Sequence, residues 1–355
     1  MNKLKIGLTL ILGIIAIGIA LSYTLLFGKV SSNDTQINVE IPLGTGTSGI
    51  AQILKENNVI KSELGFKIYI KLNDINNFQA GTYSLKQNMS LKEIAESLQS
   101  GIVFDPNQIS FTYLEGKNIR WLAEKIEETT NNTKEDVYEL LEDENYINSL
   151  IEKYWFITDE IKDEDIYYSL EGYLFPDTYA LQNKDVTVEE IFEKMLNKME
   201  DVLYQYKQEI DDSNLSVHEL LALASIVEME SVNTEDRQGV ASVVYNRLDR
   251  NMAIQSDVTT YYAFKIDMGE RDLYQRELDT YNPYNTRGPN MQGKLPVGPI
   301  SSVSKSSIEA AINPSSTDYL FFVADKNGKV YFSKTTSEHD RIISDLRTKG
   351  LWFEY

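Results

Sequence analysis

The chain of 355 residues contains no cysteine. That absence excludes disulfides, thiolate metal sites and cysteine nucleophiles. Histidine is nearly as scarce, with only His218 and His339 present. They lie far apart in the chain and cannot form an H-E-x-x-H zinc site, and a Ser-His-Asp triad would have nothing to spare. Positive charge is also short: 34 Lys and Arg face 54 Asp and Glu, for a net −20. A nucleic-acid partner calls for a basic footprint, so none is expected. A neutral carbohydrate is left open. No metal and no other cofactor is expected, and the chemistry falls to carboxylates, amides and hydroxyls.

Long apolar runs are absent except at the start, where Ile6 to Phe27 is uncharged and mostly hydrophobic. About 20 such residues span a bilayer as a helix. Lys3 and Lys5 precede the run and favour a cytoplasmic N-terminus. A cleaved signal peptide is the alternative, but its apolar core is typically about 7–15 residues and no small-x-small site follows here. The expectation is a single-pass anchor in the cell membrane, residues 1–30, with the remainder extracytoplasmic. ATP is not expected there, which disfavours nucleotide-driven chemistry.

After a polar linker, residues 31–128 read as a small α+β region. Ile37, Val39 and Ile41 alternate like a half-buried strand, and Ile50 to Leu54 has helical spacing. Gly81 to Leu85 precedes Ser90 and Glu93, a capping box opening a helix with Ile94 and Leu98. Ile109, Phe111 and Tyr113 alternate again ahead of a helix with Ile119, Leu122 and Ile126. Such strand–helix modules resemble the LysM-like glycan-binding fold; a structural spacer is the other reading. Residues 129–210 read as a helical, acidic connecting region, with Thr187 and Glu190 forming another cap. Within it, Glu171 to Tyr179 mixes aromatics, a proline and acids. That segment reads either as a sugar-contacting loop or as aromatic packing.

Residues 211–355 carry the densest signals and read as the catalytic domain. Ser216 and Glu219 cap a helix that is apolar nearly all round from Leu220 to Val227 and ends in Glu228-Met229-Glu230-Ser231. Two residues on a helix turn through about 200°, so Glu228 and Glu230 face nearly opposite ways. Glu230 continues the face of Leu223, Ile226 and Val227. A carboxyl on an apolar face has its pKa raised, as a general acid near neutral pH requires. The plainer reading is a core helix reaching solvent. A second helix, Asp236 to Asp249, turns Val240, Val243, Val244 and Leu248 inward and leaves Asn246 and Arg247 exposed or lining a cleft. Tyr281 to Ile300 reads as a long loop, Asn327-Gly328 as the turn of a hairpin, and a last helix with His339 stops at Gly350. His339 reads as a capping or hydrogen-bonding residue rather than a catalyst.

Several segments together resemble the membrane-anchored endolytic murein transglycosylase family, the YceG-like group. They are Phe78 to Tyr83, Leu114 to Gly116, Gly172 to Tyr179, Leu223 to Glu230, Tyr245 to Leu248, Gln255 to Asp257, Tyr284 to Thr286, Phe322 to Asp325, and Glu338-His339. The resemblance runs over nearly the whole chain. It departs at Arg287 to Lys294, where the family has a shorter connection, so glycan contacts in that loop are left open. The implied fold is α+β: a transmembrane helix, a LysM-like module, and a mainly helical catalytic domain with a C-terminal β-hairpin. The implied activity is internal cleavage of nascent peptidoglycan strands at the MurNAc–GlcNAc bond, ending elongation, in company with wall synthases such as penicillin-binding proteins. Glu230 falls on the glutamate taken as catalytic in this family, and Glu230-Ser231 is similar to the Glu-Ser pair of other lytic transglycosylases. Lytic cleavage needs one carboxyl group, because the sugar's own hydroxyl closes the 1,6-anhydro ring. Asn246, Gln255, Tyr284, Asn285 and Thr286 have the amides and hydroxyls that suit glycan contacts, while Asp257 would orient substrate or Arg247. The rival readings are a hydrolytic muramidase, with Asp236 or Asp257 as base, and a non-catalytic glycan-binding scaffold.

Overall fold

The computed structural model describes residues 13, 17–101, 108–231 and 233–352. They belong to two compact units, Met1–Gln108 and Ile109–Tyr355. Residues 17–27 are helical, and Ile17, Ile19, Leu21 and Leu25 of this segment are exposed. Among the described residues no helix is long and apolar enough to cross a membrane. The run expected to do so, Ile6 to Phe27, lies partly outside them.

In the first unit β1 (Gln36–Ile41) is followed by α1 (Thr47–Glu56) and α2 (Glu63–Leu72), then β2 (Gly81–Lys86) and α3 (Leu91–Ser100). β1 and β2 pair antiparallel with Val39 opposite Tyr83. The alternation works as expected for a half-buried strand: Val39, Ile41, Tyr83 and Leu85 all point into one core with Ile50, Leu54 and Phe66. The helix starts are set by side chains. Ser62 accepts from the Gly65 amide, and Ser90 with Glu93 forms the capping box that their spacing announced.

The second unit begins with β3 (Ile109–Thr112), α4 (Ile119–Thr129), α5 (Lys134–Glu142) and α6 (Glu144–Lys153). β3 pairs antiparallel with β4 (Thr178–Leu181), Phe111 lying opposite Tyr179. Residues 109–128, grouped by sequence with the small module, therefore sit in the larger unit. A short strand needs a partner for its amides and carbonyls, and that partner comes from the 171–181 segment. The same segment answers the question left open about its aromatics. Tyr173, Phe175 and Tyr179 are buried in the core, so they pack and do not face a sugar. The Tyr173 hydroxyl meets His218 Nδ1 at 2.8 Å, while His218 Nε2 donates to the Val297 carbonyl at 2.8 Å. A carbonyl can only accept, so in the neutral ring Nδ1 is the unprotonated nitrogen and accepts the hydrogen bond that the tyrosine hydroxyl donates.

α7 (Val188–Tyr204) opens on the Thr187–Glu190 capping box. α8 (Val217–Glu230) is the central helix, capped by Ser216 and Glu219 and buried from Leu220 to Val227. α9 (Thr234–Asp249), α10 (Asp257–Ala263) and α11 (Lys305–Ile312) all pack against it. An all-round apolar helix needs neighbours on every side, and these supply them. The chain ends with β5 (Phe321–Ala324) and β6 (Val330–Ser333), an antiparallel hairpin, and α12 (Thr336–Thr348) against it. Gly239 on α9 lets the hairpin approach: a Cβ there would lie 2.5 Å from the Phe332 ring. The architecture is mainly helical α+β with small antiparallel hairpins, one of them C-terminal.

Candidate functional site

The two acids at the end of α8 part as their spacing requires. Glu228 turns inward and forms a buried ion pair with Arg237, Oε1 to Nη2 at 3.0 Å. Its other oxygen accepts from the Ser304 amide at 2.9 Å and the Ser304 hydroxyl at 2.5 Å. Both oxygens are thus engaged within the fold, which suits a structural anchor between α8, α9 and the start of α11.

Glu230 turns the other way, into a cavity of about 490 Å³. Ile226 lies beside it on the same face, as the helical period dictates. One carboxylate oxygen accepts from the Ser256 hydroxyl at 2.6 Å, and among the described residues no cation forms an ion pair with it. Burial pushes the Glu230 carboxyl above the usual carboxylate range. The Ser256 hydroxyl opposes that rise, the nearby Asp257 charge adds to it, and Arg287 works against it. The carboxyl is therefore one whose burial favours the protonated form and that lines the groove.

Arg287 forms an ion pair with Asp257 at the edge of this groove. Both side chains, with Gln255 and Arg247, make the polar end. Phe321, Phe322, His339 and Trp352 make the apolar end. His339 stacks on Phe321 with ring centroids 5.4 Å apart. The site thus draws on the hairpin and α12 as well as on α8 and α10. Among the described residues no group of His, Cys, Asp and Glu is arranged to hold a metal ion.

The residues singled out in the sequence divide in two. Glu230, Arg247, Gln255 and Asp257 are brought together at the groove. Arg247 is nonetheless buried, and its guanidinium is spent on the carbonyls of Leu320, Ala253 and Ile254 at 2.7–2.9 Å. It clamps the end of α9 to the hairpin. The Asn246 amide nitrogen donates to the carbonyls of Thr317 and Tyr319 at 3.0 and 2.9 Å and does not line the groove. Tyr284 is fully buried, tilted against Tyr167 and edge-on to Tyr262, each 4.8 Å away. Asn285 is buried too, donating to the Glu277 and Thr280 carbonyls at 2.9 and 2.8 Å. Thr286 Oγ1 accepts from the Ser256 amide at 3.1 Å and meets the Thr259 hydroxyl at 2.8 Å. These four side chains build the frame behind the site. Of these, Thr286 holds Ser256, which holds Glu230. Ser231 closes α8, and its buried hydroxyl has no partner among the described residues.

Ser256, Arg287, Phe321, Phe322, His339 and Trp352 were not picked out as site residues. Ser256 had a signal, since it lies between Gln255 and Asp257 at a helix start. Phe322 and His339 lay in family-like segments, but nothing in them pointed to this groove, because its aromatic end is assembled from segments far apart in the chain. The loop from Arg287 to Lys294 docks on the preceding segment through an Ala253–Gln292 bridge and a Gly293 amide to Met252 carbonyl bond of 3.0 Å.

A capped core helix delivers one carboxyl of raised pKa into a groove and is packed by helices around it. The chain belongs to the YceG-like family, whose model matches residues 39–345. An endolytic murein transglycosylase of Bacillus subtilis is 40% identical over 86% of this chain and 84% of its own length. An endolytic murein transglycosylase of Streptococcus pneumoniae is 33% identical over 87% of this chain, which spans 58% of that longer relative. The crystal structure of a yceG-like protein from Listeria monocytogenes superposes with a TM-score of 0.62 at 35% identity, covering 87% of this chain and 100% of the other.

Proposed function

We propose that this chain is an endolytic murein transglycosylase that cuts the MurNAc–GlcNAc bond inside peptidoglycan strands, with Glu230 as its acid and base. The observation that carries this reading is the Glu230 carboxyl, raised in pKa by burial and facing the groove with one hydrogen bond, from Ser256. Protonated Glu230 donates to the glycosidic oxygen as the C1–O bond breaks and an oxocarbenium-like state forms. The carboxylate so produced takes the proton of the MurNAc C6 hydroxyl, whose oxygen attacks C1. A 1,6-anhydro ring closes, Glu230 is reprotonated, and no water is consumed. The nucleophile belongs to the same sugar, so high effective molarity replaces a second protein carboxylate.

Hydrolysis would need a base to activate water. Asp257 is the only other carboxylate lining the groove among the described residues, and it is paired with Arg287. Asp236 does not line it. Gln255, Arg287 and the aromatic end are the groups available to hold the strand. The apolar run from Ile6 and the lysines before it support a single-pass anchor, and a murein substrate calls for a catalytic unit outside the cell membrane, where wall synthases work. The strand–helix–helix–strand order of β1, α1, α2 and β2, with its antiparallel pair, supports a LysM-like glycan-binding role for the first unit.

Glu230→Gln keeps the hydrogen bond from Ser256 but has no proton to give. Cleavage of purified glycan strands should fall about 10³-fold, in line with the loss of a general acid. Product masses separate the reactions: wild-type ends should be lighter by one water than hydrolysed ends. A Glu230→Gln protein that still cuts strands at the wild-type rate would overturn the assignment.

A further inference from the structure

A second groove, of about 510 Å³, lies in the same unit and is walled by the same two helices. α8 and α10 give Glu230 and Asp257 to the first groove, and their chain neighbours Met229 and Val258 to the second. The two differ in chemistry. The second is floored by aromatics, including Trp121 and Tyr138, and carries the cations Lys117 and Arg120. Lys117 Nζ stands 5.9 Å from the centre of the Trp121 ring, and Tyr113 stacks on that ring at 6.1 Å. Trp121 is therefore not an open platform for a sugar.

Arg120 is the informative residue. Its Nη2 bonds Asp267 at 2.7 Å, and the Asp267 side chain is 76% exposed while that of Arg120 is only 20% exposed. Its Nη1 is buried with no acceptor among the described residues. A half-used guanidinium edge is a fork that a carboxylate fills with two parallel bonds. An exposed partner such as Asp267 is exchanged at little cost, because a solvated ion pair contributes little. The groove's own acids, Glu124 and Glu135, suit an ammonium group on the same ligand.

We propose that this groove binds the peptide stem of the murein strand, with Arg120 receiving a stem carboxylate in place of Asp267. The proposal rests on the murein-cleaving reading above and extends it to the part of the substrate that is not sugar. Stems hang from the MurNAc residues, so one strand lying across α8 and α10 can present its glycan to Glu230 and a stem to Arg120. Peptide binding then selects strands that still carry their stems.

The test titrates the full chain with a soluble murein stem pentapeptide, read by intrinsic tryptophan fluorescence, beside the same peptide with its carboxylates amidated. The free acid should bind saturably and about tenfold more tightly than the amide, the size expected of a charge-assisted pair. Arg120→Gln should bind both peptides alike, and Trp121→Phe should lose the signal change. Equal binding of the two peptides by the wild-type protein, or no saturable binding, overturns the proposal without depending on any variant folding. Strands stripped of their stems keep the two readings apart. If the wild-type protein fails to cut them and intact strands alike, the proposed activity is lost, whereas the peptide titration judges the groove by itself.

Discussion

Two opposing effects meet at Glu230: burial raises its pKa and the Ser256 hydroxyl, 2.6 Å away, lowers it. Removing the hydroxyl leaves burial less opposed. Ser256→Ala should therefore move the alkaline limb of the kcat/KM profile to higher pH, since activity as an acid is lost when Glu230 gives up its proton. The optimum rate should fall about tenfold, matching a lost hydrogen bond of about 1–1.5 kcal/mol that also fixes the carboxyl's direction. A limb that stays put, or moves to lower pH, would show that Ser256 does not control this proton. At this scale the parting of Glu228 and Glu230 was legible, because helical geometry alone sends them to opposite sides. Tyr284, Asn285 and Thr286 were not. An amide or hydroxyl looks the same in sequence whether its partner is a sugar or a backbone carbonyl, and only the bonds to Glu277, Thr280 and Ser256 distinguish the two.

Elements in the second unit are tied together by a buried carboxyl that the chemistry does not use. Glu171 Oε2 accepts from the Ile119 amide at the start of α4, at 3.1 Å, and from the Tyr262 hydroxyl on α10, at 3.0 Å. Gly172 beside it has φ +79 and sits against Pro299, where a Cβ would collide. Burial pushes the Glu171 carboxyl from 4.5 up to about 7. Folding thus favours the protonated form, so its contribution is intact below about pH 4.5 and is lost as pH rises through about 7. Glu171→Gln removes that dependence and should be the more stable protein at pH 8, by up to about 3 kcal/mol. Unfolding midpoints of both proteins between pH 5 and 8 check this, and parallel curves would refute it. Helix starts were readable at this scale, since Ser90, Thr187 and Ser216 with their glutamates are local signals. The partner of β3 was not, because pairing with β4 joins residues that no local period connects.

For the whole molecule, the proposed topology puts everything after about residue 30 on the outer side of the cell membrane. Protease added to intact wall-stripped cells should then degrade the catalytic unit, and a protected unit would defeat the topology. Composition speaks at this scale as well: without cysteine the fold does not depend on an oxidising partner, and the net −20 disfavours binding to nucleic acid.

The sequence by itself determined what depends on short range: helix caps, strand alternation, the hairpin, and the parting of two glutamates to opposite sides of a helix. Its joint motifs were also enough to place it in its family. Tertiary structure alone decided which polar side chains face open space and which are consumed as struts, and that a groove with an aromatic end forms around Glu230. The reason is that burial and unmet hydrogen-bonding capacity belong to the packed surroundings of a residue, which are assembled from segments distant along the chain.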